Sequence, residues 1–157
     1  MSTEADAFLA DMLPKQRAAG QALHNGDVEP WLALWSRHDP VTLYGAKLSG
    51  ASWSEVEPII RKVGSWFADS VAFEFELVAA GVSGDVAYTV GYEHNDVTFA
   101  GQPTTYSLRV THVYRHEDGQ WHIAHRHGDV PPTSDGTATF PPSSATTGAS
   151  AGETGAT

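Results

Sequence analysis

The sequence contains no cysteine, and only nine of its 157 residues are Lys or Arg. Without cysteine, disulfides, thiolate catalysis and cysteine-ligated metals are excluded. The formal net charge is -10, and no Lys/Arg cluster is present to meet phosphates, which argues against nucleic acid or an anionic membrane as a partner. The sequence also lacks a basic N-terminal segment with a following apolar run, and any stretch of the roughly 20 apolar residues that a membrane span needs. We therefore expect a cytoplasmic protein.

The composition indicates one globular domain followed by a tail. Hydrophobic residues make up 41% and charged residues 18%, and the length suits a single core. After Val130 the chain consists mainly of Pro, Thr, Ser, Gly and Ala. Such a segment buries too little surface to offset the entropy of ordering it. We predict a folded domain over residues 4–130 and a disordered tail over 131–157, the alternative being an arm that packs on a neighbouring subunit through Phe140.

Three helices are predicted in the first half of the chain. Residues 5–25 carry one broad apolar stripe, and Asn25-Gly26 provides a left-handed stop. Residues 28–37 show apolar side chains at helical spacing and end before Asp39-Pro40. A short β-run at 41–44 follows. A capping box at Ser54-x-x-Glu57 then opens the third helix.

From residue 73 onward the period of the apolar residues changes from 3.6 to 2, which indicates strands. Strands are predicted at 73–79, 86–99, 106–116 and 121–129, the last two joined at Asp118-Gly119. The order α-α-β-α-β-β-β-β indicates an α+β protein. We expect a cone-like, curved antiparallel sheet that wraps around three N-terminal helices and leaves an open-ended cavity.

The last hairpin resembles that of a known superfamily. The residues on which the resemblance rests are Thr111-His112-Val113-Tyr114 and the stretch D-G-Q-W-H-I-A-H-R-H over residues 118–127. Together with the element order, they resemble the nuclear transport factor 2 superfamily, in particular the SnoaL-like domains and the association domain of calcium/calmodulin-dependent protein kinase II. The resemblance implies the cone-like fold. That fold hosts isomerases, cyclases, dehydratases, scaffolds and transport factors, so it does not specify the function.

Two functional positions of that superfamily differ here. Ketosteroid isomerases place a general-base Asp where this chain has Tyr44, a poor base near neutral pH. The kinase association domain lines its pocket with two arginines, at positions that here are His112 and Gly128. Arg126 and Arg109 substitute for them only if their side chains face inward.

The register of the last hairpin decides which side chains face inward. A two-residue turn at Asp118-Gly119 pairs His112 with His125, which puts His125 and His127 on the same face as His112. A three-residue loop with a bulge at Gly119 shifts the pairing by one residue and puts Arg126 on that face instead. Apolar alternation favours the first register, and the family resemblance favours the second, which we prefer. His112 lies on the pocket face in both.

The candidate site follows from this face. His112 is the predicted general acid/base, because imidazole titrates near neutral pH. Arg126 or a tyrosine is predicted to polarise a substrate carbonyl or hold a carboxylate. Six further side chains are predicted to line a substrate pocket: Tyr44, Trp53, Tyr92, His94, Tyr114 and His127. His125-x-His127 with His112 resembles a metal-ligand spacing, but no Asp, Glu or Cys completes the set. We expect no metal and no organic cofactor.

Two functions are compatible with these residues. The first is a cofactor-free isomerase, cyclase or dehydratase acting on a small molecule through a pocket histidine. The second is a non-catalytic module that binds a ligand or associates with itself. Strand faces that carry Val, Tyr and Thr need covering, so under either hypothesis we expect a homodimer formed through the sheet faces.

Overall fold

The computed structural model describes residues 3–132, which form three α-helices and one six-stranded sheet. The helices are α1 (Glu4–Leu23), α2 (Glu29–Ala33) and α3 (Trp53–Gly64). The strands are β1 (Thr42–Tyr44), β2 (Ser49–Gly50), β3 (Phe67–Ser83), β4 (Val86–Phe99), β5 (Gln102–Glu117) and β6 (Gln120–Asp129). The disordered tail predicted for 131–157 lies, from residue 133 on, outside the described residues.

The strands are ordered β2-β1-β6-β5-β4-β3 across the sheet. β1 runs parallel to β6, and the other neighbouring pairs are antiparallel, so the sheet is mixed. The three helices cover its concave face. The predicted α+β cone is therefore confirmed, with β2 as an additional short strand between the predicted β-run at 41–44 and the third helix. No helix within residues 3–132 is long and apolar enough to cross a bilayer.

The core lies between α1 and the inner face of the sheet. α1 begins at a capping box formed by Thr3 and Asp6, and it buries Phe8, Met12 and Ala19. Near its C-terminus, a Cβ on Gly20 would lie 2.4 Å from the Phe73 ring. The missing side chain lets Phe73 of β3 pack directly against α1, which brings that end of the helix onto the sheet.

The predicted second helix is too long. It was expected to continue to Arg37, but it ends at Ala33. The reason is tertiary pairing. The amide of Ser36 donates to the carbonyl of Ile123 at 2.8 Å, and the amide of Ile123 donates to the carbonyl of Leu34 at 2.7 Å. These bonds to β6 replace the helical ones. The third helix likewise begins at Trp53 with Ser52 as N-cap, instead of at the predicted Ser54 cap.

The last hairpin contains both predicted registers. Next to the turn, Glu117 pairs with Gln120 and Tyr114 with Ile123, as expected for a two-residue turn at Asp118-Gly119. A β-bulge then leaves Ala124 without an opposing residue, so Val113 pairs with His125 and His112 with Arg126. The predicted bulge at Gly119 is wrong in position, but the one-residue shift that it implied is present. The bulge turns Arg126 inward and His125 and His127 outward.

Candidate functional site

A cavity of about 320 Å³ lies between α1, α3 and the inner faces of β4, β5 and β6. Most of its wall is apolar, contributed by Leu23, Trp31, Ile60, Trp66, Phe73 and Leu108 among others. Two pairs of polar side chains reach it. Glu93 and Arg126 lie together on the sheet wall, and His24 lies beside Tyr106 where α1 ends. Exposed Lys47 and the half-buried Thr104 complete the polar lining. The volume is in the range of small-molecule pockets.

Glu93 and Arg126 form a buried, bidentate ion pair. The Nη1 and Nη2 groups of Arg126 donate to the two carboxylate oxygens of Glu93 at 2.7 and 2.8 Å, and Glu93 is 3% exposed. Burial acts to raise the pKa of Glu93, but the attraction and the hydrogen bonds of Arg126 outweigh it and lower that pKa to about 2. The pair is therefore fully charged and internally neutral, so Arg126 offers no free positive charge to a carboxylate.

His112 lies behind this pair, out of contact with the cavity. It is 0% exposed and does not line the cavity wall. Arg126 Nη1 donates to Nε2 of His112 at 3.0 Å, since a guanidinium cannot accept. Burial, together with the positive charge of Arg126, lowers the pKa of His112 to about 3. The imidazole is thus neutral at physiological pH and positions Arg126 instead of meeting a ligand.

The buried polar network continues from His112 to α1. The carboxamide of Gln16 bridges Nδ1 of His112, 3.4 Å away, and the hydroxyl of Tyr114. That hydroxyl also lies 3.1 Å from Oγ1 of Thr89. Burial raises the pKa of Tyr114, and the side chain is fully enclosed. Gln16, Tyr114 and Thr89 therefore connect α1 to the sheet and do not line the cavity.

His24 and Tyr106 form a second polar pair, and both line the cavity. His24 is the C-cap residue of α1, and its Nδ1–H donates to the carbonyl of Gly20 at 2.7 Å. Because Nδ1 carries the proton, Nε2 of the neutral ring accepts from the Tyr106 hydroxyl at 3.0 Å. Burial lowers the pKa of His24, while the bond to Gly20 opposes this. Burial, reinforced by the negative charge of Glu93, raises the pKa of Tyr106.

Aromatic packing holds the His24 ring in place. The ring stacks on Phe73 at a centroid distance of 5.1 Å and tilts against Phe67 at 4.5 Å. Phe67 in turn stacks on Tyr106 at 6.2 Å. This packing fixes the orientation of the His24 and Tyr106 rings, and the Gly20 carbonyl fixes the proton of His24 on Nδ1.

Two of the residues predicted for the pocket lie near β1 and the start of α3, outside the cavity wall. Tyr44 is 49% exposed, and its ring lies edge-on to His125 and His127 at 5.6 and 5.7 Å. Its neighbour Leu43 faces the cavity instead. Trp53 lies under the guanidinium of Arg37 at 5.3 Å. The predicted pocket positions of Tyr44 and Trp53 are therefore corrected.

Three further predicted residues lie on the outer face of the sheet. Tyr92 stacks on His94 at 6.0 Å, and His94 binds Ser107 and Glu76. His127 is exposed. Their predicted place in the pocket is corrected because on β4 the odd-numbered residues face inward, and on β6 the Ala124 bulge reverses the alternation. Of the eight predicted site residues, Arg126 lines the cavity, and His112 and Tyr114 lie in the layer behind it.

Sequence reasoning missed His24, Glu93 and Tyr106. Tyr106 carried a signal, since it shares the alternation of Leu108, Val110 and His112 on β5. Glu93 was missed because its larger neighbours Tyr92 and His94 were predicted to line the pocket, and alternation along the strand then put Glu93 on the other face. Nothing in the local sequence distinguished His24 from an ordinary helix-terminal histidine.

The described residues contain no group of three or more His, Asp or Glu side chains placed to hold a metal ion. His125 and His127 both face outward, and Nδ1 of His125 lies 2.6 Å from Oγ1 of Thr42. The predicted absence of a metal stays a prediction.

The fold and the cavity place the chain in the class of cone-shaped α+β proteins that have the fold of the nuclear transport factor 2-like superfamily. A protein of that superfamily from Salmonella enterica aligns with a TM-score of 0.69 at 15% identity, over 85% of this chain and 98% of the other. The chain belongs to the SnoaL-like domain family, whose model matches residues 17–133. No curated protein matches the sequence.

Two other solved structures are similar. A candidate calcium/calmodulin-dependent protein kinase type II association domain from Thiobacillus denitrificans has a TM-score of 0.64 at 17% identity, over 77% of this chain and 95% of the other. A candidate dehydratase of the same superfamily from Streptomyces avermitilis has a TM-score of 0.64 at 17% identity, over 82% and 99%. At these identities the likeness concerns the fold only.

Proposed function

We propose that this chain binds an apolar, uncharged small molecule in its cavity and acts on it as a cofactor-free isomerase, cyclase or dehydratase. The observation that carries the proposal is the largely apolar cavity of about 320 Å³ with titratable side chains on its wall. A hydrophobic lining with a few convergent polar groups is typical of small-molecule sites. The volume takes a body of roughly two or three fused rings.

Electrostatics supports an uncharged ligand. The Arg126 guanidinium is already neutralised by both oxygens of Glu93. A ligand carboxylate at the same wall would lose its hydration and meet a second carboxylate, which is unfavourable in an apolar cavity. The role predicted for Arg126, holding a substrate carboxylate, is therefore not part of this proposal. Lys47 also lines the cavity but is exposed, and its ammonium group lies 5.7 Å from the centroid of the Phe99 ring.

The test is a thermal-shift and calorimetric screen of bicyclic and tricyclic hydrocarbons, alcohols, ketones and acids. We expect neutral ring compounds to raise the melting temperature and the matching carboxylates to leave it unchanged. Leu108→Trp fills the cavity and should abolish the response. Val86→Trp adds similar bulk at a position that is 50% exposed on the outer face, and should keep it. A response that survives Leu108→Trp would place the ligand elsewhere and overturn the proposal.

A second candidate function is self-association without catalysis. It is favoured by the apolar side chains on the outer face, where Val78, Val86 and Tyr88 are 58%, 50% and 45% exposed. Contiguous exposed apolar surface is typical of an interface. A homodimer through this face is expected to dissociate on Tyr88→Lys, measured by analytical ultracentrifugation. A dimer unaffected by that change would contradict the sheet-face interface.

A further inference from the structure

We propose that Tyr106 and His24 form a proton relay in the cavity wall, with Tyr106 as the group that accepts from an O–H or acidic C–H of the ligand. The inference rests on the proposed small-molecule function and replaces His112 as the pocket histidine. It starts from accessibility: His24 and Tyr106 line the cavity, whereas His112 does not.

The direction of the relay follows from the hydrogen bonds. Gly20 accepts the Nδ1–H of His24, so the free lone pair of the ring is on Nε2, directed at the Tyr106 hydroxyl 3.0 Å away. A proton that leaves an O–H or acidic C–H of the ligand is accepted by the Tyr106 oxygen while the phenolic proton moves to Nε2. The ligand–hydrogen bond breaks, its electron pair stays on the ligand, and an N–H bond forms on His24. The reverse transfer to a second ligand atom completes an isomerisation without an oxidant or reductant.

The surroundings suit a relay better than a free base. Tyr106 stays a neutral phenol because the apolar wall and the nearby Glu93 carboxylate disfavour a phenolate. The negative charge of Glu93 also favours the imidazolium that the relay forms on His24, while Arg126 disfavours it. Phe73 and Phe67 hold the imidazole ring against rotation. A fixed donor–acceptor line of this kind is what proton transfer requires.

The experiment uses 2-naphthol and naphthalene as two probes of similar shape. On excitation 2-naphthol becomes a strong acid, and its emission changes colour when a contacting base takes the proton. In the wild-type protein we expect 2-naphthol to bind about two- to tenfold more tightly than naphthalene, the gain of one hydrogen bond, and to emit as naphtholate. Excitation beyond the tryptophan absorption keeps the signal free of the protein.

Tyr106→Phe should reduce the preference for 2-naphthol over naphthalene to less than about twofold and remove the naphtholate emission. His24→Gln should remove the emission as well, which keeps the inference testable should one variant fold poorly. The matched controls Tyr92→Phe and His94→Gln alter a tyrosine and a histidine on the outer face of the sheet, away from the cavity wall, and should keep both signals. Unchanged preference and emission in Tyr106→Phe and His24→Gln, or equal wild-type binding of 2-naphthol and naphthalene, would overturn the relay alone. If neither compound binds the wild-type protein, the proposed small-molecule function is contradicted together with the relay.

Discussion

His24 and His112 are both buried histidines on the concave side of the sheet, 4% and 0% exposed, yet their surroundings give them different chemistry. His112 accepts from a guanidinium and contacts Gln16, with Trp31 and Phe75 against its ring at centroid distances of 5.9 and 6.4 Å. His24 accepts from a phenol that borders a cavity. Burial disfavours the charged form of both rings, but only His24 can exchange a proton with a bound molecule.

The comparison shows that a histidine on the pocket face of a strand is not thereby a pocket residue. In this sheet the wall has two layers. Arg126 and Glu93 form the first layer, and His112, Gln16 and Tyr114 form the second, which orients the first. A buried network of this kind fixes one geometry, because each member loses a partner if another moves.

Acidification is expected to produce the largest effect, because it acts on both parts of the network. The pKa of His112 is about 3 in the folded state against 6.5 ordinarily. Below pH 6.5 the unfolded chain therefore takes up a proton that the folded protein does not take up until the pH nears 3. The stabilisation by neutral His112 is thus complete above pH 6.5 and is lost as the pH falls toward 3. The pKa of Glu93 is about 2 against 4.5, so its contribution is complete above pH 4.5 and is lost toward pH 2. We expect the free energy of unfolding in urea to fall by about 1.4 kcal/mol per pH unit for each proton.

The matched variant is His112→Gln, measured between pH 6.5 and 4.5, the two ordinary pKa values. It should reduce the slope of the free energy of unfolding by about one proton, that is by about 1.4 kcal/mol per pH unit. A slope equal to that of the wild-type protein would show that His112 titrates normally, and the contrast between the two histidines would be lost.

Glu93→Gln is expected to cost about 3–5 kcal/mol of unfolding free energy, because it leaves the Arg126 guanidinium buried without a countercharge. The control is Asp129→Asn, which breaks a bidentate pair with Arg109 whose side chains are 47% and 43% exposed. That exposed pair should contribute about 1 kcal/mol or less. Chemical denaturation of both variants at neutral pH gives the two values, and similar losses would contradict the buried, charged state of Glu93.

Tyr114→Phe should lower the free energy of unfolding by about 1–3 kcal/mol, because it removes the shared partner of Gln16 and Thr89 inside the core. Tyr106→Phe should cost less, since Tyr106 is only half-buried and its partner His24 borders the cavity. Urea denaturation of the two variants shows which one loses more unfolding free energy. A larger loss for Tyr106→Phe would mean that its hydroxyl is primarily structural.

The smallest effect is expected on the outer face. Tyr92→Ala, His94→Ala and His127→Ala should each change the affinity for 2-naphthol by less than about twofold, because these side chains lie across the sheet from the cavity. Fluorescence titration measures this directly. A loss of binding in any of these variants would show that the substituted residue contacts the ligand, and would contradict the assignment of the sheet faces.

The fold was predictable to the level of element order because the relevant signals are local. The bounds of β4 and the turn at Asp118-Gly119 follow from alternation and turn chemistry. On β4, however, the inward residues include the small Ala87, Thr89 and Gly91, whereas large ones such as Tyr88 face outward. Hydrophobicity therefore indicates the wrong face, and Tyr92 and His94 were misplaced with it.

From the sequence it followed that a helix-covered, curved sheet would form and that His112 would lie on its concave face, because periodicity and turn residues act over a few positions. The tertiary structure decided the rest: the Ala124 bulge that turns Arg126 inward, its pairing with Glu93 on β4, and the contact between His24 of α1 and Tyr106 of β5. These contacts join residues 33 and 82 positions apart. The pairing of β4, β5 and β6 brings Glu93 and Arg126 together, and the packing of α1 on the concave side of the sheet brings His24 to Tyr106. No local pattern in the sequence records either contact.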